Sequence, residues 1–428
     1  MNQTNPKNEI TLEIESLSYG PYGVARYDGQ VIMIPATVPG DKVTARLVRK
    51  KGNYAIGEVI RVTEAAPDRQ TPPCPYVSEC GGCPWQQVQY KTQLRAKQKS
   101  IEDALRRIGK LDEFQVCPII SSANEFHYRR RVRLHVDKSK RLGFYHPGSH
   151  RLVEIGYCLI AGKEADGCIE ALRKWVKSIH ASIEQIEIVT GDQPDETIIV
   201  AKATGEFVAD DEDTCGGLLT GEPRIRGLIV CGREWRRTWG ETRISVDTEE
   251  RIRLMVEADV FTQVNPQGNR RIMSELLIAG EFAAGDRVLE LYCGAGNFTL
   301  SIAKRVQKVV AVEGHRPSIE SGKRSAQLNG IDNIHWISES VTKALERFGR
   351  RERFTKIVLD PPRTGAKGIG RRLASFGAAK ILYVSCNPTT LARDASELAK
   401  QGYKLAIVQP IDLFPHTFHV EVVATLIR

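Results

Sequence analysis

The sequence predicts an α/β protein in three parts: a small all-β barrel, a central α+β region and a C-terminal doubly wound, mostly parallel sheet. Three observations predict it. Residues 1–63 alternate short β patterns with Gly/Pro turns, clustered cysteines open the stretch 74–259, and from Val260 onward buried strand-like runs alternate with helical stretches. At 428 residues the chain is also too long for one compact core.

The barrel is read from Ile10-Thr11-Leu12-Glu13-Ile14, Gln30-Val31-Ile32-Met33-Ile34 and Lys42-Val43-Thr44-Ala45-Arg46-Leu47, each alternating with period two between turn residues. The run Arg46 to Lys51 is basic. Through Gly20-Pro21-Tyr22-Gly23-Val24-Ala25 and Val38-Pro39-Gly40-Asp41 this part resembles the TRAM domain, an OB-like barrel attached to RNA-modifying enzymes. Such barrels bind RNA with basic and aromatic surface residues. The polar, proline-bearing segment from Glu64 to Pro73 reads as a linker.

The central part, 74–259, begins with Cys74, Cys80 and Cys83 in a Cys-x5-Cys-x2-Cys pattern. Three thiolates so close need a soft metal centre, zinc or an iron–sulfur cluster. Cys158 is the best candidate for a fourth ligand, and a three-plus-one pattern leans towards [4Fe–4S]. The spacing differs from the Cys-x3-Cys-x2-Cys loop of radical enzymes that also carry such clusters. Tyr128-Arg129-Arg130-Arg131-Val132-Arg133 suits phosphate contact with base stacking.

Composition agrees with a soluble polyanion-binding enzyme. Lys and Arg number 61 against 52 Asp and Glu, a net charge of +9, with 41% hydrophobic residues. No stretch has the pattern of a signal peptide or approaches the roughly 20 apolar residues of a membrane span, so a cytoplasmic protein without a membrane partner is expected. In that reducing compartment cysteines serve as ligands or catalysts rather than as structural disulfides.

The C-terminal part, 260–428, starts a helix at Asn265-Pro266, with Asn as N-cap and Pro at the first helical position, running to about Ala279. Seven strand candidates follow: Arg287–Tyr292, Lys308–Glu313, Ile334–Ser338, Lys356–Asp360, Ile381–Ser385, Leu405–Gln409 and Glu421–Ile427. Doubly wound sheets bind ligands at the carboxyl ends of their strands. The turn Gly294-Ala295-Gly296-Asn297, Asp360 and Cys386 all stand there. The turn lacks the third glycine of the dinucleotide fingerprint, whereas Glu313, ending the next strand, can accept hydrogen bonds from both hydroxyls of a ribose. That pairing fits S-adenosylmethionine, a nucleoside without a pyrophosphate. A thiol and a carboxylate beside it suggest covalent chemistry on a pyrimidine ring.

The motifs Cys80-Gly81-Gly82-Cys83, Phe261-Thr262-Gln263-Val264-Asn265, Asp360-Pro361-Pro362-Arg363, Ser385-Cys386-Asn387-Pro388 and Phe418-His419-Val420-Glu421, in this order, resemble the TrmA-type family of uracil-C5 RNA methyltransferases. The resemblance covers residues 10–428 and is nearest to the branch that modifies 23S ribosomal RNA and carries a TRAM domain and an iron–sulfur cluster. It implies a Rossmann-like methyltransferase domain with a seven-stranded sheet. It implies a [4Fe–4S] cluster on Cys74, Cys80, Cys83 and Cys158, and S-adenosylmethionine contacts from Gln263, Tyr292, Asn297, Glu313 and Asp360. Cys386 is then the nucleophile and Glu421 the general base, in a monomer acting on 23S rRNA. The same chemistry on tRNA is the alternative, and a non-catalytic RNA-binding protein is the reading from another class. The nucleophile should be activated by local donors or positive charge, with Arg363 the nearest candidate. His419 is the next candidate base after Glu421, two positions away.

Overall fold

The computed structural model describes residues 9–248, 251–349 and 352–428, so the first eight residues of the expected barrel lie outside the described residues. The barrel strands are β1 (Glu9–Glu13), β2 (Ser16–Leu17), β3 (Tyr22–Tyr27), β4 (Gln30–Pro35), β5 (Lys42–Lys51) and β6 (Tyr54–Glu64), in the order β1-β5-β6-β4-β3-β2. Asp28 and Gly29 both have positive φ, 46° and 77°, which a two-residue hairpin loop with the right twist requires. Alternate residues, among them Leu12, Ile14, Ile32, Ile34 and Val43, point inward and form the barrel's own core.

The segment after the barrel is not a loose linker. The fully buried Asp41 carboxylate accepts hydrogen bonds from the Val38 and Ala66 backbone N–H groups at 2.6 and 2.9 Å and pairs with Arg69 at 2.6 Å. Asp68 in turn accepts from Thr92 Oγ1 at 2.7 Å and pairs with Arg95. These contacts hold the barrel against helix α1 (Tyr90–Arg107).

Helix α1 buries Ile101, Ala104 and Leu105 in the core of the C-terminal sheet. The short strand β7 (Gln115–Val116) then pairs in parallel with Ile407 and Val408 of that sheet. The central sheet contains β8 (Arg131–Val136), β9 (Leu142–Tyr145), β10 (Leu152–Glu154), β11 (Ser182–Thr190), β12 (Thr197–Thr204), β13 (Ile225–Cys231) and β14 (Arg236–Gly240), in the order β10-β9-β8-β11-β12-β13-β14. One face packs against α3 (Ile169–Ser178) and α4 (Ala209–Gly221), which follow the short α2 (Lys163–Gly167). The other face, with Val189, Ile198 and Ile229, packs on the hairpin of β15 (Arg243–Asp247) and β16 (Arg253–Glu257).

The arginine run is mostly structural, which corrects its reading as a phosphate-binding face. Tyr128, Arg130 and Arg131 are buried. Arg130 pairs with Asp192, and Arg131 pairs with Glu187 at 3.0 Å. Arg131 also donates to the carbonyls of Ala258 and Val260 and to Thr262 Oγ1, so it fixes the segment entering Gln263. Buried guanidinium groups persist only when paired and hydrogen-bonded, and here the partners are protein groups.

The C-terminal sheet follows α5 (Pro266–Gly280), whose N-cap Asn265 accepts from the Gly268 N–H at 2.9 Å. Its elements are β17 (Arg287–Leu291), α6 (Thr299–Ala303), β18 (Lys308–Glu313), α7 (Arg316–Leu328), β19 (Ile334–Ser338), α8 (Val341–Arg347), β20 (Lys356–Leu359), α9 (Gly370–Ser375), β21 (Lys380–Ser385), α10 (Pro388–Ala399), β22 (Lys404–Ile411) and β23 (Glu421–Ile427). The order is β19-β18-β17-β20-β21-β23-β22-β7. All seven expected strands are present, and β7, contributed from before the central sheet, makes an eighth. Strands β17 to β21 run parallel and β23 runs antiparallel between β21 and β22. The winding direction reverses between β17 and β20, which opens the crevice at their carboxyl ends. Among the described residues no helix is long and apolar enough to cross a membrane.

Candidate active site

The reversed strand brings the thiol and the carboxylate together. Ser385 at the end of β21 pairs with Val422, so Cys386 leaves the sheet beside Glu421, the first residue of β23. Asp360 follows β20 on the same edge, and its backbone N–H donates to the Leu291 carbonyl at 3.3 Å. Four sequence-distant segments therefore converge on one edge.

Hydrogen bonds explain the side chains that flank these groups. Asn387 caps α10 by accepting from the Thr389 N–H at 3.0 Å, and its amide donates to the Arg363 carbonyl at 3.1 Å. One residue thus starts the helix after β21 and ties down the loop after Asp360. Buried Asp394 fixes the far end of that loop by accepting from the Ala366 N–H at 2.6 Å and from Tyr383 Oη at 2.7 Å.

The site is crowded with acids. Burial pushes the Cys386 thiol up to about 11, with the Glu421 charge opposing ionisation next and Arg363 favouring it. The expected activation by Arg363 is thus present but outweighed. Burial, then Asp360, holds the Glu421 carboxyl well above its ordinary range, with Arg363 again opposing. Burial raises Asp360 to about 7. His419 precedes β23 rather than sharing its face, with Nε2 3.5 Å from Arg363 Nη2. Burial and Arg363 depress it to about 3, which makes it a weak base.

The nucleoside side of the crevice is built on the turn after β17. Tyr292, Gly294 and Gly296 all take positive φ, 63°, 55° and 86°. A Cβ on Gly296 would stand 2.7 Å from Leu300 and 2.9 Å from Trp336, so that close approach needs glycine. Glu313 is held ready, one carboxylate oxygen accepting from the Gly294 N–H at 3.2 Å and the other from the His315 N–H at 2.8 Å. Asn297 exchanges two hydrogen bonds with buried Asn269 of α5, at 2.8 and 2.9 Å. Gln263 lies half-buried between β16 and α5. Cys293 is buried against the turn, away from the role of an accessible nucleophile. Glu290, buried in β17, keeps one carboxylate oxygen unpartnered and is raised to about 8 by burial. Asn269 and Glu290 escaped the sequence reading, their only signal a polar residue on an otherwise apolar face, and Asn387 stood in a motif without a role of its own.

Cys74, Cys80, Cys83 and Cys158 line one cavity of about 380 Å3, together with Tyr76, Arg129, Phe144, Phe418 and His419. Among the described residues no group of three or more His, Cys, Asp or Glu side chains is placed to hold a metal ion. The cavity shares Thr417, Phe418 and His419 with the catalytic edge, so its far wall is the segment that leads into Glu421.

The family described as tRNA (uracil-5-)-methyltransferase matches residues 240–428, and the TRAM domain matches residues 3–60. A 23S rRNA (uracil(1939)-C(5))-methyltransferase RlmD of Hahella chejuensis is 35% identical over 98% of this chain and 97% of its own length. The chain belongs to the RNA uracil-C5 methyltransferase family. An RNA methyltransferase of Halalkalibacterium halodurans, of uncharacterised activity, is 30% identical over 99% of this chain and 97% of its own length. The crystal structure of a tRNA (uracil-54, C5)-methyltransferase of Pyrococcus abyssi with S-adenosyl-L-homocysteine covers 98% of this chain and 100% of that one, with a TM-score of 0.76 and 24% identity, and shares the fold. As a member of the family the chain is an S-adenosylmethionine-dependent RNA methyltransferase, with the fold and TRAM domain expected of one.

Proposed function

We propose that this chain methylates C5 of a uridine in 23S rRNA through a covalent bond between Cys386 and C6. The observation that carries the chemistry is the antiparallel placement of β23, which sets Glu421 beside Cys386 at the carboxyl edge of the sheet. Support for the substrate is the near full-length similarity to 23S rRNA enzymes, at 35% identity in Hahella chejuensis and 31% in Shewanella amazonensis.

C5 of uracil is a poor nucleophile until its ring conjugation is broken. Addition of the Cys386 thiolate to C6 forms the S–C6 bond and moves the C5=C6 electrons onto C5 as an enolate. C5 then takes the methyl group. Glu421 removes the remaining C5 proton, the C–H electrons re-form C5=C6, and the thiolate leaves. The target base reaches this edge by leaving its stack. S-adenosylmethionine supplies the methyl group as a cationic sulfonium. Residues present fit it: the positive-φ turn with open space above Gly294, the pinned Glu313 carboxylate and the orphaned oxygen of Glu290. In this reading Gln263, Tyr292, Asn297, Glu313 and Asp360 hold it.

The four-cysteine cavity fits a [4Fe–4S] cluster held by Cys74, Cys80, Cys83 and Cys158. Its four cysteine donors are all soft sulfurs, and half-buried Arg129 with an unpartnered Nε faces them. The group would brace the wall formed by residues 417–419. We divide the chain into a barrel at 1–63, a central part at 74–259 and a catalytic part at 260–428, acting as a cytoplasmic monomer. Helix α1, β7 and the β15–β16 hairpin pack on the catalytic sheet and couple the three.

Mapping 5-methyluridine in rRNA and tRNA from a strain lacking the gene tests the substrate. Loss of one or more sites in 23S rRNA alone is expected. Loss confined to tRNA would overturn the rRNA assignment and leave the chemistry in place.

A further inference from the structure

One residue at the catalytic edge comes from the barrel. Tyr19 lies in the turn between β2 and β3, and its hydroxyl donates a 3.0 Å hydrogen bond to the carbonyl of Cys386, 367 residues away. Its ring meets Phe418 edge-on, with centroids 5.6 Å apart at 85°. Burial raises the phenol's pKa, and the other groups that act on it are Cys386, Arg363 and Glu421.

The Cys386 carbonyl needs this donor. It lies beyond the last strand pair, Ser385 with Val422, and before the first carbonyl bonded inside α10, that of Asn387 to the Leu391 N–H. Neither sheet nor helix reaches it. The nucleophile therefore stands on the one residue between two regular elements, and its main chain is held there by a side chain of another domain. The phenol bonds the Cys386 main-chain carbonyl and not the thiol or Glu421, so the covalent scheme gives it no role as acid or base. What the contact supplies is position.

We propose that Tyr19 is a positioning residue through which the barrel holds Cys386 in place for attack on C6. The proposal rests on the covalent reading above. The barrel also offers RNA the exposed cations Arg49, Lys50 and Lys51, at the end of β5. These bind the polyanion. Tyr19 holds the main chain of Cys386, which attacks an unstacked uridine.

The conservative variant Tyr19→Phe keeps the edge contact with Phe418 and removes only the hydroxyl. Hydrogen–deuterium exchange of the full chain without RNA should show faster exchange across residues 385–389, while melting temperature and affinity for S-adenosylhomocysteine stay at wild-type values. With saturating RNA, the single-turnover rate of methyl transfer should fall about five- to tenfold, the effect of one lost hydrogen bond, and KM for RNA should hold. A second variant, Lys50→Ala with Lys51→Ala, should do the reverse, raising KM with the saturated rate intact. Unchanged exchange across 385–389 in Tyr19→Phe overturns the proposal, as does a rate deficit that disappears at saturating RNA. If the wild-type chain methylates no RNA but the exchange change appears, the covalent reading fails and the positioning contact stands.

Discussion

Replacing Glu421 with Gln separates methyl transfer from release. The residue is 5% exposed at the head of β23, and the amide keeps the shape while removing the proton acceptor. The neighbouring groups do not substitute. His419 is depressed to about 3 and faces Arg363. Asp360, raised to about 7, follows a different strand and belongs to the cofactor side in the proposed scheme. A positioned general base contributes about 10²- to 10⁴-fold, so multiple turnover should fall by about that factor. The methyl group transfers before the proton leaves, so the first turnover should still consume one equivalent of cofactor. The enzyme then stalls as an adduct carrying a C5-methylated, C5-protonated uridine. Radiolabelled methyl should travel on a denaturing gel in a slow band with the protein, and the same band should be absent with Cys386→Ala, whose cofactor affinity stays normal. Turnover by Glu421→Gln within about threefold of wild type, with no labelled band, would refute the assignment of the base.

Two further outcomes follow from the surrounding structure. Protein purified without oxygen should be brown and carry about four irons per chain, and Cys83→Ser should bleach it and lower its melting temperature; colourless protein with stoichiometric zinc would reverse the cluster assignment. Lys97 and Asp412 form a fully buried ion pair at 2.7 Å that ties α1 to the loop leading to Glu421, so Lys97→Met, which strands the carboxylate, should cost about 3–5 kcal/mol in urea unfolding, and adding Asp412→Asn should recover much of it; a cost below about 1 kcal/mol would show that the pair does not hold the loop.

The catalytic edge was legible in the sequence because each of its residues stands where a periodic pattern breaks. Cys386 ends an apolar run, Glu313 ends another, and the Gly294 turn interrupts a third. The Asn265-Pro266 signal placed the α5 start correctly, since a cap is a local interaction. What stayed hidden depends on contacts between distant segments. The arginine run has the composition of an RNA-binding face, but Asp192 and Glu187, which neutralise it, arrive from β11 and the loop after it. The segment from Glu64 to Pro73 has linker composition, but Asp41 pins it from inside the barrel. The pattern of β15 and β16 is an ordinary hairpin, and only the Ser321, Ser325 and Asn329 side chains of α7 and its C-terminus show where it docks. Tyr19 carried no signal at all, because a tyrosine in a barrel turn has the same local environment whether or not an active site lies across from it.

The charges at the catalytic edge also fix an order of events. Cys386, Glu421 and Asp360 are three acids each raised by burial, and Arg363 favours the ionised forms of Cys386 and Glu421. Three such neighbouring groups titrate as a set, and their mutual repulsion opposes ionising all three. With the thiol at about 11, only a small fraction is thiolate near neutral pH, so the nucleophile is kept quiet in the free chain. A sulfonium cation entering the crevice favours every ionised form. An opposite charge in contact range lowers a thiol pKa by about one to three units, and the thiolate fraction rises about ten- to a thousandfold. Alkylation of Cys386 by iodoacetamide, followed residue by residue by mass spectrometry, reads this directly. In the free chain the rate should climb about tenfold per pH unit from neutrality towards 11, because the group is protonated below its raised pKa and reactive above it. At neutral pH, S-adenosylmethionine should accelerate it and S-adenosylhomocysteine, the same shape without the charge, should not. Arg363→Gln should slow alkylation in the free chain and leave the acceleration in place. Equal effects of the two nucleosides would mean that occupancy rather than charge sets the thiol, and a rate already level by pH 8 would mean that the burial argument for Cys386 is wrong.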